Sequence, residues 1–100
     1  MPMILHTINK SPHGTDILDE CLRFCSDGDA ILFIEDGIYA IQQHTKAYKV
    51  INQHPHINFF ALKPDVEARG LDLSSLMITY VEDTGFVELT VQYQKVQSWF

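Results

Sequence analysis

Two cysteines and five histidines are the side chains best suited to chemistry beyond packing. A thiolate can accept sulfane sulfur as a persulfide and lose it to a second attacking thiolate, by exchange chemistry like that of disulfides. Cys21 and Cys25 stand four positions apart. On a helix that spacing holds the Cβ atoms about 5–6 Å apart, beyond the roughly 3.5–4.5 Å of a disulfide. Neither spacing nor count matches a secreted framework or a C-x-x-C redox pair, so both read as free thiols. Reactivity requires a lowered thiol pKa, usually from a helix N-terminus or a nearby cation. Lys10, His13 and Arg23 are the cations on adjacent segments. Cys21 falls about two turns into its expected helix, where the helix dipole gives little help. Two readings stay open for Cys21: a sulfur-handling thiol, or a buried member of an apolar stripe. Cys25 reads as structural.

A bound transition ion needs three or four converging ligands. His54-Pro55-His56 is the one close histidine pair, and Pro55 holds it extended, so it reads as surface loop and no metal is expected. His6 is placed near the end of a central strand, one residue from the loop where strand order switches. It reads either as a hydrogen-bonded core or edge histidine or as a catalytic one. Trp99 reads equally as a partner anchor, since Trp is enriched at interface hot spots, or as packing for the last strand.

The elements that would position these residues alternate. Met3 to Ile8 is a short apolar strand, and Asn9 to Gly14 is dense in breakers. Thr15 or Asp16 caps a helix with Ile17, Leu18, Cys21, Leu22, Phe24 and Cys25 spaced by three and four. Ser26-Asp27-Gly28-Asp29 ends it. The unbroken run Ala30 to Ile34 suits a strand buried on both faces of a parallel sheet. A weaker helical stretch follows from Ile38, and another from Lys46 to Ile51. Ile57 to Leu62 is a third strand, and Pro64 opens a short helix closed by Gly70. Leu76 to Val81 is a fourth strand, Asp83 or Thr84 opens a helix to about Tyr93, and Val96 to Phe100 is the last strand. The alternation implies an α/β fold: a single three-layer domain over residues 1–100, with a five-stranded parallel sheet and helices on both faces.

Much is excluded. Seven Lys and Arg face thirteen Asp and Glu, a net charge of −6 that lacks the positive field of a nucleic-acid binder. In open parallel sheets ligands collect beyond the strands' carboxyl ends, here at Asn9–Gly14, Glu35–Gly37, Lys63–Asp65 and Glu82–Gly85. None has the glycines of a dinucleotide or P-loop cradle, G-x-S-x-G is absent, and no cofactor is expected. One hundred residues suffice for one domain and one core. No apolar run is long enough to span a bilayer, and Asn9 and Lys10 come too soon for a secretory signal, so a cytoplasmic chain without membrane contact is expected.

Several blocks resemble one family. Leu5-His6-Thr7-Ile8-Asn9-Lys10-Ser11-Pro12, Glu35-Asp36-Gly37-Ile38-Tyr39-Ala40, Ala61-Leu62 with Asp65, and Ala68-Arg69-Gly70 are similar to the DsrH/TusB family of small sulfur-relay subunits. So are Asp83 with Phe86-Val87 and Leu89-Thr90, and the ending Val96-Gln97-Ser98-Trp99. The resemblance implies a DsrEFH-like fold. It also implies a heterohexamer with DsrE/TusD-like and DsrF/TusC-like subunits, and exchange with a DsrC/TusE-like sulfur carrier. The function implied is persulfide relay, for tRNA wobble-uridine 2-thiolation or for dissimilatory sulfur oxidation. The principal cysteine of such complexes belongs to the DsrE/TusD-like subunit. DsrH-type members carry a further cysteine in the first helix, and Asp19-Glu20-Cys21-Leu22-Arg23-Phe24 resembles that site. Cys21 is therefore the candidate catalytic residue and persulfide carrier. The alternative is a non-catalytic subunit that scaffolds the complex and orients the partner's cysteine. Cys25 matches no family motif.

Overall fold

The computed structural model describes residues 3–100. Five strands, β1 (Ile4–Ile8), β2 (Ala30–Phe33), β3 (Asn58–Leu62), β4 (Thr79–Val81) and β5 (Lys95–Trp99), form one parallel sheet in the order β4-β3-β2-β1-β5. The helices are α1 (Ile17–Phe24), α2 (Lys46–Asn52), α3 (Lys63–Ala68) and α4 (Asp83–Gln92), with a 3-10 helix over Glu35–Ile41. Among the described residues no helix is long and apolar enough to cross a membrane.

The chain order explains the layers. From β1 to β4 each strand steps the same way across the sheet, whereas β5 returns to the far side of β1. Parallel crossovers keep one hand, so reversing the step moves the crossover helix to the opposite face. Accordingly Ile8, Ile31, Phe33, Phe59 and Ala61 pack with α1, the 3-10 helix, α2 and α3. Leu5, Ala30 and Leu32 pack with Leu89 and Tyr93, from α4 and its C-cap. β2, covered on both sides, is buried at every position, which is why its sequence does not alternate.

The expected three-layer architecture is present, with local differences. β2 is the central strand; β1 lies second from the edge because only β5 lies beyond it, and His6 sits in the middle of β1 rather than near its end. β4 is confined to Thr79–Val81. Before it, the Ser75 hydroxyl meets Tyr48 Oη at 2.6 Å, and the Ser75 N–H donates to Tyr80 Oη at 3.2 Å. The Ser75 hydroxyl also accepts from the Met77 N–H at 3.3 Å, a local bond that competes with a strand ladder, and Leu76 projects fully into solvent. Helical structure also begins at Glu35 rather than Ile38, as a 3-10 turn.

That turn is fixed by a close approach. A Cβ at Gly37 would lie 2.1 Å from the Ile8 carbonyl oxygen, so only glycine fits where the turn crosses the end of β1. Glu35, at φ 50, is held there by its N–H donating to Asp65 Oδ2 at 2.6 Å. Gly37→Ala must push the turn off β1, and overpacking of this kind costs about 1–3 kcal/mol. Urea unfolding should show a lower midpoint at unchanged slope; a variant as stable as the parent would show that the approach is not tight.

Candidate functional site

Two periodicities meet beneath α1. Alternation along β1 turns His6 to the face that carries Ile8, and helical spacing points Ile17, Leu18 and Cys21 down onto that face. Cys21 is the fifth residue of α1, nearer the helix start than expected, and is 0% exposed. α1 stops at Phe24. Cys25 is its C-cap, with extended backbone (φ −79, ψ 141), and is only partly buried. Donor atoms of His6, Cys21 and Cys25 all lie within 4.8 Å of one another, and both thiols are free.

The His6 ring is fixed from both sides. Trp99 Nε1 donates to His6 Nδ1 at 3.0 Å, and His6 Nε2 lies 3.1 Å from Asp29 Oδ2. An indole nitrogen only donates, so Nδ1 holds a lone pair and the hydrogen sits on Nε2, facing the carboxylate. Asp29 is itself anchored by the N–H groups of Ile4 (3.0 Å) and Ser26 (3.1 Å). The Trp99 and His6 ring centres lie 6.2 Å apart with the rings tilted by 41°, and Phe24 stands 5.5 Å from Trp99.

The thiols divide in acidity. Cys25 is lowered to about 6, chiefly because Cys21 hydrogen-bonds to its thiolate, with His6 adding to the effect against burial and the Asp29 charge. Cys21 is pushed up, first by that hydrogen bond to Cys25 and then by burial. Burial alone would lower His6, but Cys25 and Asp29 outweigh it and raise the imidazole above 6.5. Asp29 is lowered: burial works against its ionisation, and the Ile4 and Ser26 N–H groups with His6 overcome it.

Of the residues singled out in the sequence, Cys21, His6 and Trp99 come together. The groups that set thiol acidity are the two sulfurs, His6 and Asp29, not Lys10, His13 or Arg23. Cys25 and Asp29 were missed. The signal for Cys25 was the Ser26-Asp27-Gly28-Asp29 turn, which leaves it at the helix end. Asp29 reads as a turn residue until its burial is known. The site also lies away from the strands' carboxyl ends. There Arg69 Nε instead binds Asp36 Oδ1 at 3.1 Å, and Asp65 holds Glu35. His6, Cys21 and Cys25 are the one described cluster with a metal-type donor set, but both His6 nitrogens are engaged, so an ion would have to displace Trp99 or Asp29.

The profile of the DsrH like protein family matches residues 10–96. The chain belongs to this family. Over 97 residues it is 38% identical to "Protein TusB" of Enterobacter sp. (strain 638), covering 96% of this chain and all of that one. "Protein TusB" of Yersinia enterocolitica is 34% identical over 100 residues, again across 96% of this chain and all of the relative. The DsrH-like fold is also seen in the crystal structure of the YchN protein from E. coli, at TM-score 0.76 and 14% identity, covering 98% of this chain and 99% of that one. The solution structure of Tm0979 from Thermotoga maritima follows at TM-score 0.66 and 17% identity, covering 90% and 93%.

Two outcomes follow for this DsrH-like chain. Alkylation of Cys25 should be half-maximal near pH 6 and fall about tenfold per unit below it, because only the thiolate reacts. Its folded value lies below the ordinary 9.0, so the stability tied to its ionisation is complete above pH 9.0 and lost as pH falls through about 6. A rate midpoint near 9.0 would contradict the assignment. Asp29 follows the same sign lower down: its contribution is present above 3.8 and lost in acid. Asp29→Asn should therefore flatten the acid limb of a stability–pH curve and lower the plateau, read by urea unfolding; an unchanged limb would clear Asp29 of this role.

Proposed function

We propose that the chain is a subunit of a cytoplasmic sulfur-relay complex, in which persulfide sulfur passes between protein cysteines toward 2-thiolation of the tRNA wobble uridine. The observation that carries this reading is a pair of thiols beside a fixed imidazole in a chain whose relatives along its length are TusB proteins. The fold gives the exchange what it needs: a thiol low enough to be ionised at neutral pH, next to one that stays protonated. Cys21 and Cys25 together are the proposed sulfur-handling unit. DsrE/TusD-like and DsrF/TusC-like subunits are the proposed partners in a heterohexamer, and a DsrC/TusE-like protein is the proposed exchange partner. Val87 and Val91 on α4, Val96 on β5 and Phe100 at the C-terminus are exposed apolar side chains that a subunit interface could cover. The excess of acidic groups suits a chain that meets proteins and leaves RNA to a downstream enzyme.

Relay in sulfur oxidation uses the same chemistry, and Cys21 at the DsrH-type position favours it. The full burial of Cys21 favours a scaffold that orients a partner's cysteine. One experiment separates the three. The gene is deleted and restored as wild type or as Cys21→Ser/Cys25→Ser, and tRNA 2-thiouridine is measured alongside co-purification of the partner subunits. Relay toward tRNA predicts loss of 2-thiouridine on deletion, rescue by wild type, and no rescue by the double variant despite normal assembly. Rescue by the double variant would leave only the scaffold. Unchanged 2-thiouridine on deletion would exclude the tRNA reading.

A further inference from the structure

The relay reading leaves open which sulfur atom carries the cargo, and the geometry points to an answer that rests on that reading. We infer that Cys25 accepts and releases the sulfane sulfur, while Cys21 remains a thiol and serves as a positioning residue that donates a hydrogen bond to it.

Access is the first argument. A carrier must be reached by a partner's cysteine and must hold one extra sulfur atom. Cys21 is 0% exposed and packed in the main core with Ile17, Leu18 and Ile31. Protein interiors are close-packed, so an added atom there forces the core apart. Cys25 lies past the last helical residue on extended backbone and is partly open. Its neighbour Phe24 is 70% exposed and lines, with Ile4, His6 and Trp99, a groove of about 480 Å³ against β5. The groove reaches His6, whose ring lies within 4.8 Å of Cys25 Sγ, so it leads a partner's cysteine to the neighbourhood of Cys25 rather than to the core side of Cys21.

The second argument is the surroundings. Sulfur transfer needs a thiolate that attacks well and later leaves well, and both steps are helped by a hydrogen bond to that sulfur. Cys21 Sγ lies within 4.8 Å of Cys25 Sγ on the buried side, placed to offer its S–H, and His6, locked between Asp29 and Trp99, stands within the same distance.

The steps balance. The Cys25 thiolate attacks the terminal sulfur of a partner's cysteine persulfide. The Cys25 S–S bond forms, the donor's S–S bond breaks, and the donor leaves as a thiolate that takes a proton from water. The transferred atom stays sulfane sulfur, so no outside oxidant or reductant is consumed. Release is the same exchange run toward an acceptor thiolate, with Cys25 as the leaving thiolate. A competing step exists: attack by a Cys21 thiolate on Cys25 Sγ would form a Cys21–Cys25 disulfide and expel hydrosulfide, wasting the cargo. Keeping Cys21 protonated suppresses it.

Arg23 makes the test direct, because trypsin cuts between the two cysteines and yields peptides Ser11–Arg23 and Phe24–Lys46. The full-length wild-type chain, with its partner subunits, is treated with inorganic polysulfide, alkylated, digested and weighed. Reductant-removable sulfur on the Phe24–Lys46 peptide supports the inference. Sulfur on the Ser11–Arg23 peptide overturns it and leaves the relay reading standing. A disulfide joining the two peptides, with sulfide released, overturns the protected role of Cys21. Sulfur on neither peptide while a partner subunit loads overturns the relay reading as well. For Cys21, the readout is the pH profile of Cys25 alkylation. Cys21→Ala should move the midpoint upward from about 6 toward 9.0, and Cys21→Ser, which keeps a donor, should restore most of it. An unmoved midpoint in a folded Cys21→Ala variant would remove the positioning role.

Discussion

One buried carboxylate organises the site. Asp29 accepts from the start of β1 through Ile4, from the turn after α1 through Ser26, and faces His6 with the same oxygen that Ser26 uses. A carboxylate taken from water is tolerated only when its oxygens are bonded in this way. Those bonds fix the distance between β1 and the end of α1, and hence the distance between His6 and the thiols. Trp99 closes the chain from the last strand, 93 positions from His6 in sequence. The C-terminal strand therefore contributes a side chain to the site, and the return of β5 to β1 is what brings Trp99 to His6.

The blocks that mark the family serve two ends. Glu35-Asp36-Gly37, Asp65 and Arg69 secure the carboxyl side of the sheet: Gly37 lets the turn touch β1, Arg69 binds Asp36 and Asp65 holds the strained Glu35. His6 and Trp99, from the first and last blocks, serve the thiol site. Such sheets commonly bind ligands at their carboxyl ends. Here the turns after β2 and β3 are tied to one another by these bonds, and the thiols lie under α1 instead.

The fold was legible because its signals are local or periodic. The apolar run of β2, the Pro64 and Gly70 that bracket α3, and the three-and-four spacing of α1 each state an element directly. β4 was overread because Leu76 and Met77 look like strand, while Ser75 bonds that depend on Tyr48 and Tyr80 hold them out of it. The site was half legible. Cys21, His6 and Trp99 could be named, but not joined, because their contacts depend on strand order, and the order puts β5 rather than another strand beside β1. Cys25 and Asp29 were hidden by reading the end of α1 as a terminator alone, when that same turn sets one residue's exposure and the other's burial.

The central claim is that Trp99 donates to an unprotonated Nδ1 of His6. Trp99 is the one tryptophan, so its fluorescence reports the surroundings of this ring. Protonating the imidazole puts a hydrogen on Nδ1 and must break the contact. Emission should change in a transition with its midpoint above pH 6.5, moved to lower pH in Cys25→Ser and lost in His6→Asn. Emission that stays flat from about pH 5 to about pH 9, or an unchanged transition in His6→Asn, would contradict the account.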